Sequence, residues 1–232
     1  MTMKRIRKIF RYAWLLAFSI LPSRLKVIIL NAQGHDVHPS AYLGVCFFDV
    51  KHLQLARGVS IGSFNTFKNL NWLTMDEGAR IGGKFNHFTA SENNNLNNPM
   101  FGCIRMGRSS SITSKHLFDA QDLIEIGERT LIAGLRSTFF THTVTPDDVA
   151  INKPIRIGDT CYVGSHCMFV PGACLDSSTF VGAASVVTKD FSGNQFVLVA
   201  GNPAKVVKSY PKESAYWRRP YDSFRPKRNL AV

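Results

Sequence analysis

The sequence predicts a mainly β protein, wound as a parallel β-helix, with a helical segment before it and a helix or tail after it. Aliphatic–glycine pairs recur along the 232 residues, as in Ile61-Gly62 and Ile81-Gly82, and two of the intervals between them are 20 residues. From Ile157 the chain divides into sixes, IGDTCY, VGSHCM, FVPGAC, LDSSTF, VGAASV and VTKDFS. A basic, apolar stretch of different character precedes these repeats.

A period of six matches neither an α-helix nor simple strand alternation. It suits a short strand followed by a tight corner, where glycine tolerates unusual backbone angles. Three such units form one triangular coil of 18 residues, and stacked coils bury their aliphatic positions in a column. The 20-residue intervals are then single coils with two extra residues.

The repeat divides the chain into three parts. Residues 1–35 are expected to be a basic amphipathic helical segment, 36–200 the β-helix, and 201–232 a basic extension. Two longer intervals predict loops at 91–100, which is rich in Asn, and at 143–153. Extra residues between coils must leave the prism, and loops on a rigid scaffold often carry function.

The net charge of +12 lies at the two ends of the chain. Residues 1–26 hold seven Lys and Arg without an acid (+7), and 205–232 hold eight with two acids (+6), so the middle is 12 − 13 = −1. A nucleic-acid-binding protein would carry a basic face through the fold itself, so no nucleic acid is expected as a partner. Basic ends instead suit anionic lipid or phosphorylated ligands.

The N-terminal apolar run, Tyr12–Leu21, has ten residues, whereas a membrane-spanning helix needs about 20. We expect an interfacial helix on an anionic membrane surface through residues 1–26, with Trp14, Leu15, Leu16 and Phe18 in lipid. A helix that packs in the fold or in an oligomer, and a cleaved signal peptide, are the alternatives. The five cysteines have no C-x-x-C spacing, which favours a reducing compartment such as the cytoplasm.

The segment 153–208 resembles the C-terminal half of the hexapeptide-repeat acyltransferases, which include sugar and polysaccharide O-acetyltransferases. The resemblance rests on the hexads, on GAASVVTKD and on AGNPAKVVK in that order. It implies a left-handed parallel β-helix, a homotrimer, and acetyl-CoA bound in a groove between neighbouring copies. It also implies that His142, on a loop before the PIRIGD hexad, is the catalytic residue. The positions that line the coenzyme A groove in the family correspond here to Tyr162, Ser165, Ala183, Thr188, Lys189, Lys205 and Lys208.

Acyl transfer from a thioester to a hydroxyl needs a base that removes the hydroxyl proton during attack. Histidine suits this task, and general base catalysis contributes roughly 10²–10⁴-fold. A thioester is already activated, and the chain has no G-x-S-x-G that would supply a nucleophilic serine, so direct transfer is expected. The backbone N–H near Ser165 is the candidate donor to the oxyanion.

Four further residues are candidates for binding the acceptor. His116 and Asp119 precede His142 by about one coil plus an insertion, and Asn86 and His87 precede the Asn-rich loop. Each has an alternative role as an ordinary structural or solvated side chain. The main hypothesis is O-acetylation of a surface polysaccharide or lipid-linked glycan precursor, by a cytoplasmic protein at the inner membrane.

Three other functions remain open at this point. An N-acyltransferase of a nucleotide-linked amino sugar would use the same base. A zinc enzyme like the γ-carbonic anhydrases would gather His116, His142 and His166, although no metal is expected. A non-catalytic β-helix protein would lack coenzyme A binding altogether.

Overall fold

A computed structural model of the protein describes residues 3–82, 84–92 and 98–218. Two helices, α1 (Met3–Ser19) and α2 (Ser23–Ala32), precede the strands. The strands are β1 Asp36–Val37, β2 Tyr42–Leu43, β3 Phe47–Leu55, β4 Ser60–Ile61, β5 Thr66–Met75, β6 Arg80–Ile81, β7 His87–Thr89, β8 Cys103–Met106, β9 Ser111–Ser114, β10 Leu117–Asp119, β11 Ile124–Ile126, β12 Leu131–Leu135, β13 Thr138–Phe140, β14 His142–Val144, β15 Ala150–Asn152, β16 Ile155–Ile157, β17 Tyr162–Val163, β18 Met168–Phe169, β19 Cys174–Leu175, β20 Thr179–Val181, β21 Val186–Val187, β22 Asp190–Phe191, β23 Val197–Gly201 and β24 Ala204–Ser209.

The strands form three parallel faces that the chain visits in a fixed order, coil after coil. Face one runs from the start of β3 through β5, β7, β10, β13 and β18 to β21. Face two runs from β1 through the ends of β3 and β5 to β8, β11, β16, β19 and β22. Face three runs from β2 through β4, β6, β9, β12, β17 and β20 to β23. The predicted fold class, a mainly β parallel β-helix after an N-terminal helix, is confirmed.

A column of stacked phenylalanines fills the inner side of face one. Phe118 lies in its middle, with ring centroids 4.6 Å from Phe88 and 4.5 Å from Phe139. All of the column's rings are buried. Parallel in-register strands repeat every 4.8 Å or so, which is also a comfortable stacking distance for aromatic rings. The members of this phenylalanine column are Phe48, Phe67, Phe88, Phe118, Phe139 and Phe169.

A second column, made of buried polar side chains, runs along the corner where face three turns into face one. We call this corner the three–one corner. Each member lies two residues before the inward residue of face one and bonds the backbone of a neighbouring coil. The members of this polar column are Cys46, Asn65, Asn86, His116, Ser137, Cys167 and Ser185. It satisfies backbone groups that a tight buried turn would otherwise leave without partners.

The two helices close the first coil of the prism. Val27 and Leu30 of α2 are buried in the core. Lys26, 0% exposed, donates from Nζ to the carbonyl oxygens of Leu43 (3.4 Å) and Gly44 (2.5 Å). Those carbonyls belong to the first coil, which has no earlier coil to pair with, so Lys26 acts as its cap.

Helix α1 packs on β3 with one side and exposes the other. Phe18 is buried in the core and Leu15 is half-buried, so the expectation that both insert into lipid is wrong. Trp14 and Leu16 are exposed. Within the described residues, no helix is long and apolar enough to cross a membrane.

The C-terminal extension begins as a strand rather than a helix. β24 runs antiparallel to β23 and ends the parallel order of face three. Turns follow as far as residue 218, and they carry Trp217 onto the ring of Phe180 at 4.9 Å. The remainder of the expected helix or tail, 219–232, lies outside the described residues, as do 93–97 of the Asn-rich loop.

Candidate functional site

The segment expected to be a loop at 143–153 is largely a two-stranded hairpin. It leaves the prism where face one turns into face two, which we call the one–two corner. β14 and β15 pair antiparallel, with His142 opposite Asn152. At the tip, the Thr145 N–H donates to the carbonyl of Val149. A paired hairpin holds its base in one position better than an open loop of the same length would.

Thr141 ties the base of this hairpin to the preceding coil. Its N–H and its Oγ1 both donate to the carbonyl oxygen of Asp119, at 3.2 and 2.9 Å. The same Oγ1 accepts the N–H of Asp122 at 2.9 Å. His142 follows directly, so these bonds fix where its side chain leaves the backbone relative to Asp119.

His142 and Asp119 form the centre of the candidate site. His142 Nδ1 lies 3.7 Å from Asp119 Oδ2, and the two side chains are 39% and 19% exposed. Nδ1 itself is buried without a hydrogen-bond partner among the described residues, so the exposed part of the ring belongs to its other atoms. Asp119 Oδ1 accepts Gln121 Nε2 at 3.2 Å, which restrains the carboxylate. One side of the imidazole therefore faces the Asp119 carboxylate, and the other side is exposed to solvent.

His87 extends this surface towards the start of the prism. It lies on the outer side of face one, in register with Leu117 of β10, and is half-buried. Burial lowers the pKa of His87, Lys68 lowers it further, and Asp119 opposes both. His87 is thus a neutral polar group between a cation and a carboxylate, on the same outer surface as Asp119.

His116 does not lie at this corner, contrary to the expectation that it grips the acceptor. It is 1% exposed and belongs to the polar column. Nδ1 accepts the Ser137 N–H at 3.1 Å, so Nε2 carries the proton and donates to Thr113 Oγ1 at 3.0 Å. Burial lowers the pKa of His116 to about 4, which keeps the ring neutral. Its role is structural.

Asn86 is also a member of the polar column and not a surface group, so its expected contact with the acceptor is wrong as well. It is 1% exposed. Its Nδ2 donates to Asn65 Oδ1, at 3.0 Å, and its Oδ1 accepts the N–H of His116, at 2.9 Å. All of these groups are satisfied within the prism, so none is available to a ligand.

The residues expected to bind coenzyme A divide between two corners. Ser165 and Ala183 lie at the three–one corner, half-buried and exposed respectively. Thr188 and Lys189 lie exposed at the one–two corner, between β21 and β22. Face one separates the two pairs, so they do not share a groove on one chain.

Ser165 is held against Gly134 of the preceding coil. Its Oγ accepts the Leu135 N–H at 3.4 Å, and a Cβ at Gly134 would lie 1.7 Å from that oxygen. The backbone N–H of Ser165 has no hydrogen-bond partner among the described residues. A free, fixed N–H at an exposed corner is the kind of donor that an oxyanion requires.

The remaining predicted residues lie on or beyond face three. Tyr162 packs edge to face on Tyr216 at 6.3 Å, so the C-terminal turns cover part of its ring. Lys205 and Lys208 are exposed on β24, and Lys208 lies over the ring of Tyr210 at 5.1 Å.

Metal ligands do not cluster in the described part of the chain. No group of three His, Cys, Asp or Glu side chains there is arranged to hold a metal ion. His116 of the zinc hypothesis could become a ligand only by giving up its bonds to Ser137 or Thr113. The five cysteines are unpaired, and burial raises the pKa of Cys161 to about 12. Such thiols are packing groups rather than nucleophiles.

Comparison with known proteins points to one enzyme class. A candidate acetyltransferase of Dictyostelium discoideum is 36% identical over 96 residues, which are 39% of this chain and 50% of that protein. Galactoside O-acetyltransferase of Escherichia coli K12 is 30% identical over 104 residues, 42% of this chain and 50% of that protein. The relatives of this chain are hexapeptide-repeat acetyltransferases. The chain spans about half the length of the curated relatives it matches.

An acetyltransferase is also found among the similar solved structures. A galactoside acetyltransferase in complex with coenzyme A matches at 19% identity and a TM-score of 0.47, over 91% of this chain and 85% of that one. No family model matches the chain.

Two features of the chain were not predicted from its sequence. Thr141 was passed over, although it is the residue that fixes His142 beside Asp119. The polar column was missed as well, although each member precedes an inward residue by two places, as in Asn86-His-Phe88 and His116-Leu-Phe118. That spacing identifies buried corner residues and would have removed Asn86 and His116 from the candidate site.

Proposed function

We propose that this protein transfers an acetyl group from acetyl-CoA to a hydroxyl of a sugar, with His142 as the general base. The observation that carries the proposal is the pairing of a half-open imidazole with the Asp119 carboxylate, 3.7 Å from Nδ1, on a hairpin tied to the scaffold. The relatives named as acetyltransferases supply the reaction class.

The reaction needs no covalent intermediate on the protein. His142 Nε2 accepts the proton of the acceptor hydroxyl as its oxygen attacks the thioester carbon. Asp119 stabilises the imidazolium through Nδ1–H, a contact that tightens when the site fills. The C–S bond then breaks, and the coenzyme A sulfur takes the proton from the imidazolium. Ester and free thiol are the products, and His142 returns to its neutral form.

The division of the expected coenzyme A residues supports a homotrimer. One copy offers the one–two corner, with His142, Thr188 and Lys189, and the next copy offers the three–one corner, with Ser165 and Ala183. Bringing unlike corners together around a three-fold axis closes a ring of three identical interfaces. The Ser165 N–H of one copy then stabilises the oxyanion formed beside His142 of its neighbour.

The acceptor is proposed to be a sugar of a surface polysaccharide or of a lipid-linked glycan precursor. Galactoside O-acetyltransferase, whose name specifies a sugar acceptor, is among the relatives. Around His142, the outer surface carries the hydrogen-bonding groups of His87, Asp119 and Gln121. These groups suit the hydroxyls of a sugar ring.

Helix α1 is proposed to attach the protein peripherally to the cytoplasmic face of the inner membrane. An apolar side of the helix faces outwards, and basic Arg5 and Arg7 flank it. An exposed apolar helix face beside cations suits the interface of an anionic bilayer. Its large exposed side chains are Met3, Ile6, Ile9, Phe10, Trp14, Leu16 and Ile20.

Replacing His142 by Ala tests the proposed chemistry. The full chain is incubated with acetyl-CoA and a glycan acceptor, and product is followed by mass spectrometry. We expect turnover to fall roughly 10²–10⁴-fold without loss of oligomeric state or coenzyme A affinity. His52→Ala, an exposed histidine on face two, is the matched control. Full activity in the His142 variant would refute the base assignment, and an amide product would indicate an amino-sugar acceptor.

A further inference from the structure

A cavity of about 390 Å³ lies between α1 and the one–two corner, on the same corner as His142. Asn69 and Leu70, at the bend of β5, form part of its wall. From β5 to β13, next to His142, there are three strand steps along face one. At a strand spacing of about 4.8 Å, these steps place the cavity about 14 Å from the candidate site. One extended ligand can therefore occupy both.

The cavity holds more positive than negative charge. Four cations line it, Arg7, Lys8, Arg11 and Lys51. The lining acids neutralise two of them, since Arg11 pairs with Asp49 and Lys8 pairs with Glu92. Arg7 and Lys51 have no acidic partner among the described residues. This leaves two positive charges beside one concave surface, which favours a dianionic ligand such as a phosphate group.

The same cavity has a buried acceptor that lacks a donor. The Asp49 side chain is 1% exposed, and its Oδ1 receives Arg11. Its Oδ2 is buried without a hydrogen-bond partner among the described residues. A buried charged oxygen without a donor is costly, and native structures seldom leave one unfilled. Oδ2 has almost no exposed surface, so a ligand hydroxyl supplies that donor only when the Asp49 side chain turns towards the cavity, and a ligand that binds in this way needs a hydroxyl as well as an oxyanion.

Charged groups connect this cavity with the candidate site. Lys68 of β5 lies near enough to act on both Glu92 of the cavity and His87 of the outer surface. His87 in turn lies near Asp119. An elongated acceptor would therefore contact the cations of the cavity at one end and the His142–Asp119 pair at the other.

We propose that the cavity binds the phosphate of a phosphorylated glycan, with Arg7 and Lys51 on the phosphate and Asp49 on a sugar hydroxyl. The free end of the same glycan reaches His142. The assignment of that glycan as the acetyl acceptor rests on the proposed function. A span of about 14 Å exceeds one sugar ring, so the acceptor is an oligosaccharide phosphate. The exposed apolar side of α1 suits a glycan phosphate that is joined to a lipid.

Calorimetric titration of the full chain with glucose 1-phosphate tests the cavity. We expect binding that weakens by about tenfold or more in the Arg7→Gln, Lys51→Gln double variant, because two charge-assisted contacts are lost. The matched control is Arg57→Gln with Arg80→Gln, which removes the same charge from exposed positions outside the cavity. All four positions are exposed, and circular dichroism verifies folding of both variants. Equal affinity in the two double variants overturns the proposal.

Two further probes separate a sugar-phosphate site from simpler alternatives. Inorganic phosphate should bind at least about tenfold more weakly than glucose 1-phosphate, because it has no sugar hydroxyl for Asp49. Equal affinity for both would indicate an anion site only and overturn the proposal. Vesicles of phosphatidylserine and phosphatidylcholine in equal amounts test a lipid headgroup. If the Arg7, Lys51 variant loses vesicle binding and the wild type never binds glucose 1-phosphate, the proposal is also overturned.

Titration of the same proteins with coenzyme A distinguishes a failure of the cavity proposal from a failure of the proposed function. Arg7 and Lys51 lie outside the expected coenzyme A residues, so we expect equal coenzyme A affinity in all three proteins. Glucose 1-phosphate binding without coenzyme A binding would refute the acetyltransferase and support the cavity. Coenzyme A binding without glucose 1-phosphate binding would refute the cavity and leave the acetyltransferase in place.

Discussion

His142 Nδ1 lies 3.7 Å from Asp119 Oδ2, across two consecutive strands of face one and the hairpin that leaves them. Asp119 is thus the carboxylate that would orient His142 and stabilise its protonated form. We expect Asp119→Asn to lower kcat about tenfold to a hundredfold, since a hydrogen bond to a charged group contributes about 1.5 to 3 kcal/mol. The KM for acetyl-CoA should stay unchanged. Steady-state kinetics measure both, with Glu125→Gln on face two as the control.

Thr141 helps to hold His142 beside Asp119. Replacing Thr141 therefore provides a second test of this pairing, with kcat as the measurement. Its Oγ1 joins the carbonyl of Asp119 to the N–H of Asp122. A Thr141→Val variant that kept full kcat would show that the hairpin tether is irrelevant to the chemistry.

Protonation of the buried His116 should make stability depend on pH. Burial holds the pKa of His116 at about 4 in the folded protein, against about 6.5 in the unfolded chain. The unfolded state therefore binds more protons between these values, and the free energy of unfolding falls as pH drops from 6.5 towards 4. The full effect is at most about 3.5 kcal/mol, because the two pKa values differ by about 2.5 and each unit contributes about 1.4 kcal/mol.

Urea denaturation at pH 7 and pH 5 measures this dependence. His116→Asn should flatten it, because Asn does not titrate in this range. His166→Asn, at an exposed corner position with positive φ that Asn tolerates, should leave it unchanged. An unaltered pH slope in the His116 variant would argue against a neutral, buried imidazole.

The phenylalanine column should supply a large part of the stability of face one. Phe118→Ala removes a fully buried ring between Phe88 and Phe139, and we expect a loss of about 3 to 5 kcal/mol in the free energy of unfolding. Phe64→Ala removes an exposed ring that stacks only on the outside, against Phe85, and should cost much less. Urea denaturation distinguishes the two, and equal losses would contradict the column's role.

Gly134→Ala should disturb Ser165. The new Cβ would lie 1.7 Å from Ser165 Oγ, so that side chain must move. If Ser165 helps to line the coenzyme A groove, coenzyme A affinity should fall by about tenfold, or about 1.4 kcal/mol. Gly193→Ala imposes similar left-handed strain, with nothing within 4 Å of its Cβ, and serves as the control. Equal coenzyme A affinity in the two variants would exclude Ser165 from the groove.

Membrane attachment should depend on the exposed side of α1. Phe10→Glu with Trp14→Glu places two charges on that side without touching the buried Phe18, whereas deleting the helix would open the core. We expect partition into anionic vesicles to fall about tenfold or more. Tyr42→Glu, an exposed aromatic on face three, is the control in vesicle sedimentation. Undiminished sedimentation of the α1 variant would show that this side serves another purpose.

The coil repeat and the position of the insertion that carries His142 were predictable from spacing alone, because each coil repeats the same local structure, whereas the pairing of that insertion into a hairpin was not predicted. Gly127 and Gly158 recur where a coil approaches its neighbour too closely for a Cβ. The insertion that carries His142 follows from the longer interval between Ile126 and Ile157. These are local signals, and they depend on no contact between distant parts of the chain.

The sequence did not predict which individual polar residues are exposed and which are buried. Asn86 and His87 are neighbours in the sequence, yet one is sealed inside the three–one corner and the other lies on the outer surface. Strand alternation places consecutive side chains on opposite sides, and only the register of the coil decides which side is which. Asp119 was identified together with His116, although only Asp119 meets His142.

By itself, the sequence determined the triangular coil and the position of the insertions, because period and glycine placement are local properties. Tertiary structure alone decided that His142 lies beside Asp119, and that the residues expected to bind coenzyme A divide between two corners. It also decided that α1 covers a basic cavity with Asp49 at its wall. Those relationships arise from strand register and from the packing of α1 on β3. Both depend on contacts between residues far apart in the chain, which no short stretch of sequence encodes.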